Sequence, residues 1–354
     1  MNYTHSERNS QHDNETLPIP RSVLGTIALG PQWSTIDPFL FCAHHNDDYP
    51  QGDGSLAPID ALSGRTIGSD FSGKDGWSMY HGARVPGFPR HPHRGFETVT
   101  FARRGLIDHS DSMGATARFG RGDVQWMTAG SGVVHSEMFP LVKTDERNHT
   151  ELFQVWLNLP SRSKMVDPHF TMLWADEIPV VALGDHATVT VIAGAIAGVT
   201  PPKTPPSSWA ADPNNDVALW HIVIEDGGSI ELPPALANSG RVLYCFSGSG
   251  LTVDSSPPFG ERVGVQVDPL ATPLLHASNG PIELLVMQGQ PINEPVAQYG
   301  PFVMNTQAEI KQAFDDYQQT QFGGWPWQDN GPHHGSQKGR FAIHADGRAE
   351  TPSG

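Results

Sequence analysis

The stretch that decides the fold is His91-Pro92-His93-Arg94-Gly95-Phe96-Glu97-Thr98-Val99-Thr100, answered downstream by Gly122-Asp123-Val124-Gln125-Trp126-Met127-Thr128-Ala129-Gly130 and Val134-His135-Ser136-Glu137-Met138. Side chains alternate along a strand, so His91 and His93 point one way and Pro92 the other. His135 and Glu137 repeat that two-residue step in a second apolar stretch. Antiparallel pairing of the two stretches would bring three imidazoles and a carboxylate to one point. Such a set suits a divalent transition metal, Fe, Mn, Ni, Cu or Zn, and not Mg or Ca, which take oxygen ligands.

Around this centre the chain is acidic and rich in turn formers. It has 354 residues with a formal charge of -16, 37 glycines and 31 prolines, and only 17% charged residues. That balance is expected of many short strands joined by turns, and it predicts an all-β protein of one elaborate or two ordinary domains. No Lys/Arg cluster occurs, so direct nucleic-acid or anionic-membrane binding is disfavoured. The two cysteines, Cys42 and Cys245, lie far apart in apolar segments and read as buried free thiols. Met1 to Glu15 lacks an apolar run behind basic residues, and no stretch reaches membrane-spanning length, which predicts a cytoplasmic protein.

Residues 1–21 are polar and are expected to be mobile. A first β-rich domain is predicted over 22–180, with candidate strands Phe96 to Phe101, Gly105 to His109, Thr116 to Phe119, Val124 to Met127, Val133 to Met138 and Leu152 to Leu157. Inside it, 47–80 is rich in Gly, Asp and Ser and reads as a surface excursion covering the site. A second domain is predicted over 181–327, with strands at Val189 to Ile196, Leu219 to Ile224, Val242 to Phe246, Leu251 to Val253 and Ile282 to Gln288, interrupted by a polyproline-like run from Pro201 to Ser208. Thr306-Gln307-Ala308-Glu309 makes a capping box ahead of Ile310, Ala313, Phe314 and Tyr317, predicting a closing helix over 306–319. The polar tail 328–354, with His333, His334 and His344, reads as disordered.

The pattern His-x-His-x-x-x-Glu, followed some forty residues on by Gly-Asp-Val and then His, is the two-part signature of cupin barrels. The stretches His91 to Thr100, Gly122 to Gly130, Val134 to Met138 and Gly300-Pro301-Phe302-Val303-Met304-Asn305-Thr306 resemble the pirin family of bicupins in order and wording, over about two hundred residues. The resemblance implies two stacked antiparallel β-barrels plus a C-terminal helix, one metal in the N-terminal barrel, and quercetin 2,3-dioxygenase activity in several members. It places the metal ligands on His91, His93, His135 and Glu137, and among the metals iron comes first. Glu97 stands where the general cupin pattern puts its carboxylate, so Glu97 competes with Glu137 as the fourth ligand or serves as its hydrogen-bonding support. No His-x-His occurs in the second barrel, which is expected to be metal-free.

Other residues read more plainly. His109, in Asp108-His109-Ser110-Asp111, is expected to bond locally near a turn. His221 reads as a hydrogen-bonded packing residue. Phe96, Phe101, Met127, Met138 and Phe153 are candidates both for core packing and for the wall of a substrate pocket, and Trp126 or its neighbours line the barrel. With quercetin-like substrates, Glu137 would take the proton of the flavonol 3-hydroxyl before reaction with O2, ring cleavage and carbon monoxide release. Two other readings stand beside this one. The first is a metal-containing regulatory or redox-sensing protein with a protein partner. The second is a dioxygenase or isomerase for another phenolic or enediol substrate, since 47–80, the Pro201 to Ser208 run and the tail depart from the short family form.

Overall fold

A computed structural model describes residues 21–353. The first half is built from two six-stranded sheets. One runs in the order His169–Leu173, Asp123–Thr128, Phe96–Arg104, Asn148–Asn158, Phe39–Tyr49 and Gln32–Ser34. The other runs Ala349–Glu350, Phe341–Ile343, Thr116–Gly120, Leu106–Asp111, Val133–Met138 and Gly87–His93. The second half is one seven-stranded sheet, in the order Val23–Ala28, Val263–Val267, Gly240–Val253, Leu274–Gly289, Ala218–Glu231, Asp185–Ala193 and Val180–Ala182. Strand hydrogen bonding does not run continuously around either half, yet each encloses its own apolar interior, and together they make the bicupin fold.

Three cores hold this arrangement. Tyr49, Ile107, Phe119 and Phe170 fill the first barrel together with Trp77, Met79 and Tyr80. Ile222, Leu243, Val265 and Leu284 fill the second. Between the barrels lies a shared core of Trp33, Phe101, Trp126 and Phe153 from one side and Leu219, Val242, Tyr244 and Phe246 from the other. Trp33 stacks on Tyr244 with centroids 5.2 Å apart across that boundary. Burying large rings at the junction joins the halves by the same force that forms each of them. Cys42 and Cys245 are both buried and free.

The domain boundaries differ from the linear division at 180. Val23–Ala28 pairs with Val263–Val267 and so belongs to the second barrel's sheet. The helix Gln307–Thr320, capped by Thr306 and Glu309 in the expected box, does not close the second barrel. Its buried Ile310 and Ala313 pack with Val134, Phe302 and Phe322 against the first. The tail beyond 328 is ordered rather than disordered: Phe341–Ile343 pairs with Thr116–Arg118. Its anchor is Arg118, fully buried, whose Nε and Nη2 bond the carboxylate of Asp108 while Nη1 donates to Gly335 O and Lys338 O at 2.6 and 2.8 Å. Backbone pairing and carbonyls satisfying a buried guanidinium order a segment that lacks a hydrophobic pattern of its own. The expectation for residues 1–21 falls outside the described residues except at Arg21.

The segment 47–80 is also built, not merely exposed. Strand Phe39–Tyr49 takes in its first residues, and Leu56, Ala57, Trp77 and Met79 are buried. The Arg65 guanidinium lies 3.4 Å over the Trp77 ring and bonds Asp70 at 2.9 Å. Asp47 accepts from Ser78 N and Tyr80 Oη at 2.9 and 2.7 Å.

Candidate metal centre

The paired stretches fold as their alternation predicts. Gly87–His93 runs antiparallel to Val133–Met138, with His91 opposite His135 and His93 one pleat further on. Donor atoms of His91, His93 and His135 lie within 4.8 Å of one another. Burial pushes the His91 imidazole down to about 4 and those of His93 and His135 well below their ordinary value, which keeps all three neutral. His91 Nδ1 pairs with Pro89 O at 2.9 Å, leaving its Nε2 for a ligand. Nε2 of His93 and both ring nitrogens of His135 have no hydrogen-bond partner among the described residues. Buried nitrogens left in this state and aimed at one another fit a metal better than they fit any packing role.

Glu137 stands at the edge of the triad, with Oε2 3.9 Å from His135 Nε2. Gln154 Nε2 donates to Oε2 at 2.7 Å and Thr100 Oγ1 to Oε1 at 3.3 Å, so the carboxylate is held from behind. Trp156 Nε1 in turn donates to Gln154 Oε1 at 3.3 Å. Burial raises the Glu137 carboxyl above its usual range, against the opposing pull of His109, Gln154 and Thr100. The carboxylate lines the same cleft as His91 and His93.

Glu97 goes elsewhere. Gly95 adopts φ +85° and ends the His91–His93 strand, so the chain re-enters as Phe96–Arg104 in the other sheet and the alternation from His93 does not carry across. The Glu97 carboxylate accepts from Thr128 Oγ1 at 2.6 Å and Ser208 Oγ at 2.5 Å, the latter from the second barrel. Burial lifts it to about 7 although both hydroxyls favour its charged form. Gly95 has no substitute, because a Cβ there would stand 2.0 Å from Val303 O. Buried Lys164 locks the same turn, donating to Gly95 O, Asn158 Oδ1 and Val303 O at 2.8, 2.7 and 3.1 Å. Arg94 reaches outward to Asp316 of the helix at 2.7 Å.

His109 lies near the end of strand Leu106–Asp111, just before a turn, and bonds locally as expected. Its Nε2 lies 3.2 Å from Asp111 Oδ2 and its ring centroid 5.5 Å from that of His135. His221 bonds Glu283 at 2.9 Å in the second barrel.

A cleft of about 800 Å3 opens over His91, His93 and Glu137. Its aromatic wall is Phe41, Phe71, Tyr80, Phe88 and Trp156, two of them from the 47–80 segment. None of Phe96, Phe101, Met127, Met138 and Phe153 lines it. Phe101 and Phe153 are spent on the core between barrels, Met127 and Met138 on smaller clusters, and Phe96 stacks under Trp156 at 3.9 Å. Trp126 likewise lies in the inter-barrel core. Gln154, Lys164 and Tyr80 carry no local sequence signal, since only long-range pairing brings them to the site.

Comparison with known proteins agrees with this architecture. The chain matches the Pirin family model over residues 21–157 and the Pirin C-terminal cupin domain model over 219–323. A pirin-like protein of Solanum lycopersicum is 38% identical over 234 residues, covering 66% of this chain and 75% of that protein. One from Caulobacter vibrioides is 37% identical over 242 residues, 67% of this chain and 80% of its own length. The crystal structure of quercetin 2,3-dioxygenase from Acinetobacter baumannii superposes with a TM-score of 0.68 at 26% identity, covering 86% of this chain and 98% of that one. With both halves matched in order by family models, and the triad in the first, the chain belongs to the pirin family.

Proposed function

We propose that the first barrel holds one divalent transition metal on His91, His93, His135 and Glu137, iron first among the candidates, and that the site opens a flavonol ring with O2. The observation that carries this reading is the set of three neutral imidazoles, His93 and His135 buried and His91 half-buried, with His91, His93 and the Glu137 carboxylate lining an aromatic-walled cleft. A bound metal would supply Lewis acidity and a path for electrons between substrate and O2. The protein's part follows from its own side chains. Phe88, Tyr80 and Trp156 suit a flat polyphenol, stacking on its rings and excluding water. Glu137 is the proton acceptor for the hydroxyl beside the carbonyl, and Gln154 keeps the carboxylate turned toward the cleft.

The name of the Acinetobacter relative supports flavonol chemistry, and the five aromatic groups of the wall support a ring-bearing substrate over a small aliphatic enediol. The test joins elemental analysis of the purified protein with O2 uptake on quercetin. Stoichiometric metal, lost in His93→Ala and His135→Ala, and quercetin-dependent O2 consumption falling by a factor on the order of 10^2 or more in Glu137→Gln are expected. Full metal with no O2 uptake on any flavonol would reject flavonol cleavage in favour of a regulatory, metal-containing protein or an enzyme for another phenolic or enediol substrate.

A further inference from the structure

The second barrel has a mouth of its own, and a charged side chain sits inside it. Arg241 shares the inward face of strand Gly240–Val253 with Leu243 and Cys245, and is 1% exposed. Its Nε donates to Gln288 Oε1 at 2.7 Å, yet Nη1 and Nη2 have no acceptor among the described residues. Asp216 offers them its charge but no hydrogen bond; its Oδ2 accepts from Leu236 N and Ser239 Oγ at 2.9 and 2.7 Å. A buried guanidinium with its outer nitrogens unpaired is costly, and its planar fork matches a carboxylate in two parallel hydrogen bonds.

Arg241 forms part of the wall of a cleft of about 730 Å3, separate from the one over His91, His93 and Glu137. Prolines from the Pro201 to Pro206 run face Pro233 and Pro234 across it, and Trp220 lies within, its ring centroid 6.0 Å from Arg241 Cζ. The Trp220 indole N–H is held by Gly194 O at 2.9 Å, which fixes the ring as a platform. Asp212 and Asp216 also line the cleft and would repel a second negative charge. One unpaired buried cation, an aromatic platform and proline walls define the ligand by chemistry.

We propose that the second barrel binds a small monocarboxylate with a flat apolar body, its carboxylate on Nη1 and Nη2 of Arg241 and its body against Trp220 and the prolines. The second barrel is then a second small-molecule site, independent of the chemistry proposed for the first.

The test is a 19F NMR titration of the full-length protein with 4-fluorobenzoate. Saturable binding is expected, weakened about tenfold or more in Arg241→Met, since a charge-assisted bidentate pair is lost. The neutral 4-fluorobenzamide is expected to bind at least about tenfold more weakly than the acid. Should Arg241→Met fail to fold, Ala195→Glu at the exposed rim adds a repelling charge without entering the core, and is expected to weaken binding as well. No saturable binding, binding that survives these substitutions, equal affinity for the amide, or full competition by inorganic phosphate would overturn the assignment. Carboxylate held at the first barrel's metal falls under survival of Arg241→Met and is thereby distinguished.

Discussion

Glu97 and Glu137 are two buried glutamates of one barrel with different surroundings. Glu97 lies at the seam between barrels, hydrogen-bonded by Thr128 and Ser208. Its carboxyl rises from 4.5 to about 7, so inside that window the folded chain keeps a proton the unfolded chain has released. Stability from this group is therefore full below the unfolded value, declines as pH rises through the folded one, and levels off above it. Glu97→Gln is expected to remove the decline and gain up to about 3 kcal/mol on the parent at the alkaline end. Urea midpoints of both proteins across the window check this; parallel curves would count against it. Glu137 instead depends on its support. Gln154→Leu removes the bond to Oε2 and is expected to lower kcat by about tenfold to a hundredfold at unchanged metal content. A loss of metal in step with activity would show that Gln154 acts by holding Glu137 as a ligand and not by steering it as a proton acceptor. The His91/His93 and His135/Glu137 pairs were legible from spacing because each pair lies on one strand. Glu97 was ambiguous because alternation says nothing about where a strand ends, and the positive φ at Gly95 ends it.

At the scale of elements, the ends of the chain teach most. The tail reads as polar and featureless, yet Arg118 and the Thr116–Gly120 edge give it partners. Ending the chain before Gly335 would expose that edge and strip two carbonyls from a buried charge. A loss of about 3 kcal/mol or more is expected, read as a lower denaturant midpoint. An unchanged midpoint would mean the tail rests on the surface without stabilising it. The helix was legible through its capping box, whereas its docking partner was not. Periodicity reveals that a helix has an apolar stripe and not which surface receives it, here Val134 of the first barrel and Phe302 of the short hairpin formed by Ala297–Tyr299 and Phe302–Met304. Likewise the 47–80 segment shows its polar composition in the sequence, while the Arg65–Trp77 stack and the Asp47–Tyr80 bond that hold it over the cleft emerge only on folding.

For the molecule as a whole, the two barrels exchange their ends. The first strand lies in the second barrel, the last segments lie on the first, and Trp33, Phe153, Tyr244 and Phe246 share one core. Such mutual dependence predicts one cooperative unfolding transition, with calorimetric and van't Hoff enthalpies agreeing. Residues 22–180 alone are expected to give no cooperative melt, and two resolved transitions in the full chain would contradict this. The exchange also governs the order of events during synthesis. Val23–Ala28 leaves the ribosome well before Val263–Val267, the strand it joins, and the edge at Thr116–Gly120 stays open until Phe341–Ile343 is made. Neither half can be completed while the nascent chain is short, so a prematurely terminated product would carry the histidine triad in an unfinished barrel with unpaired strand edges, a natural target for chaperones and proteases.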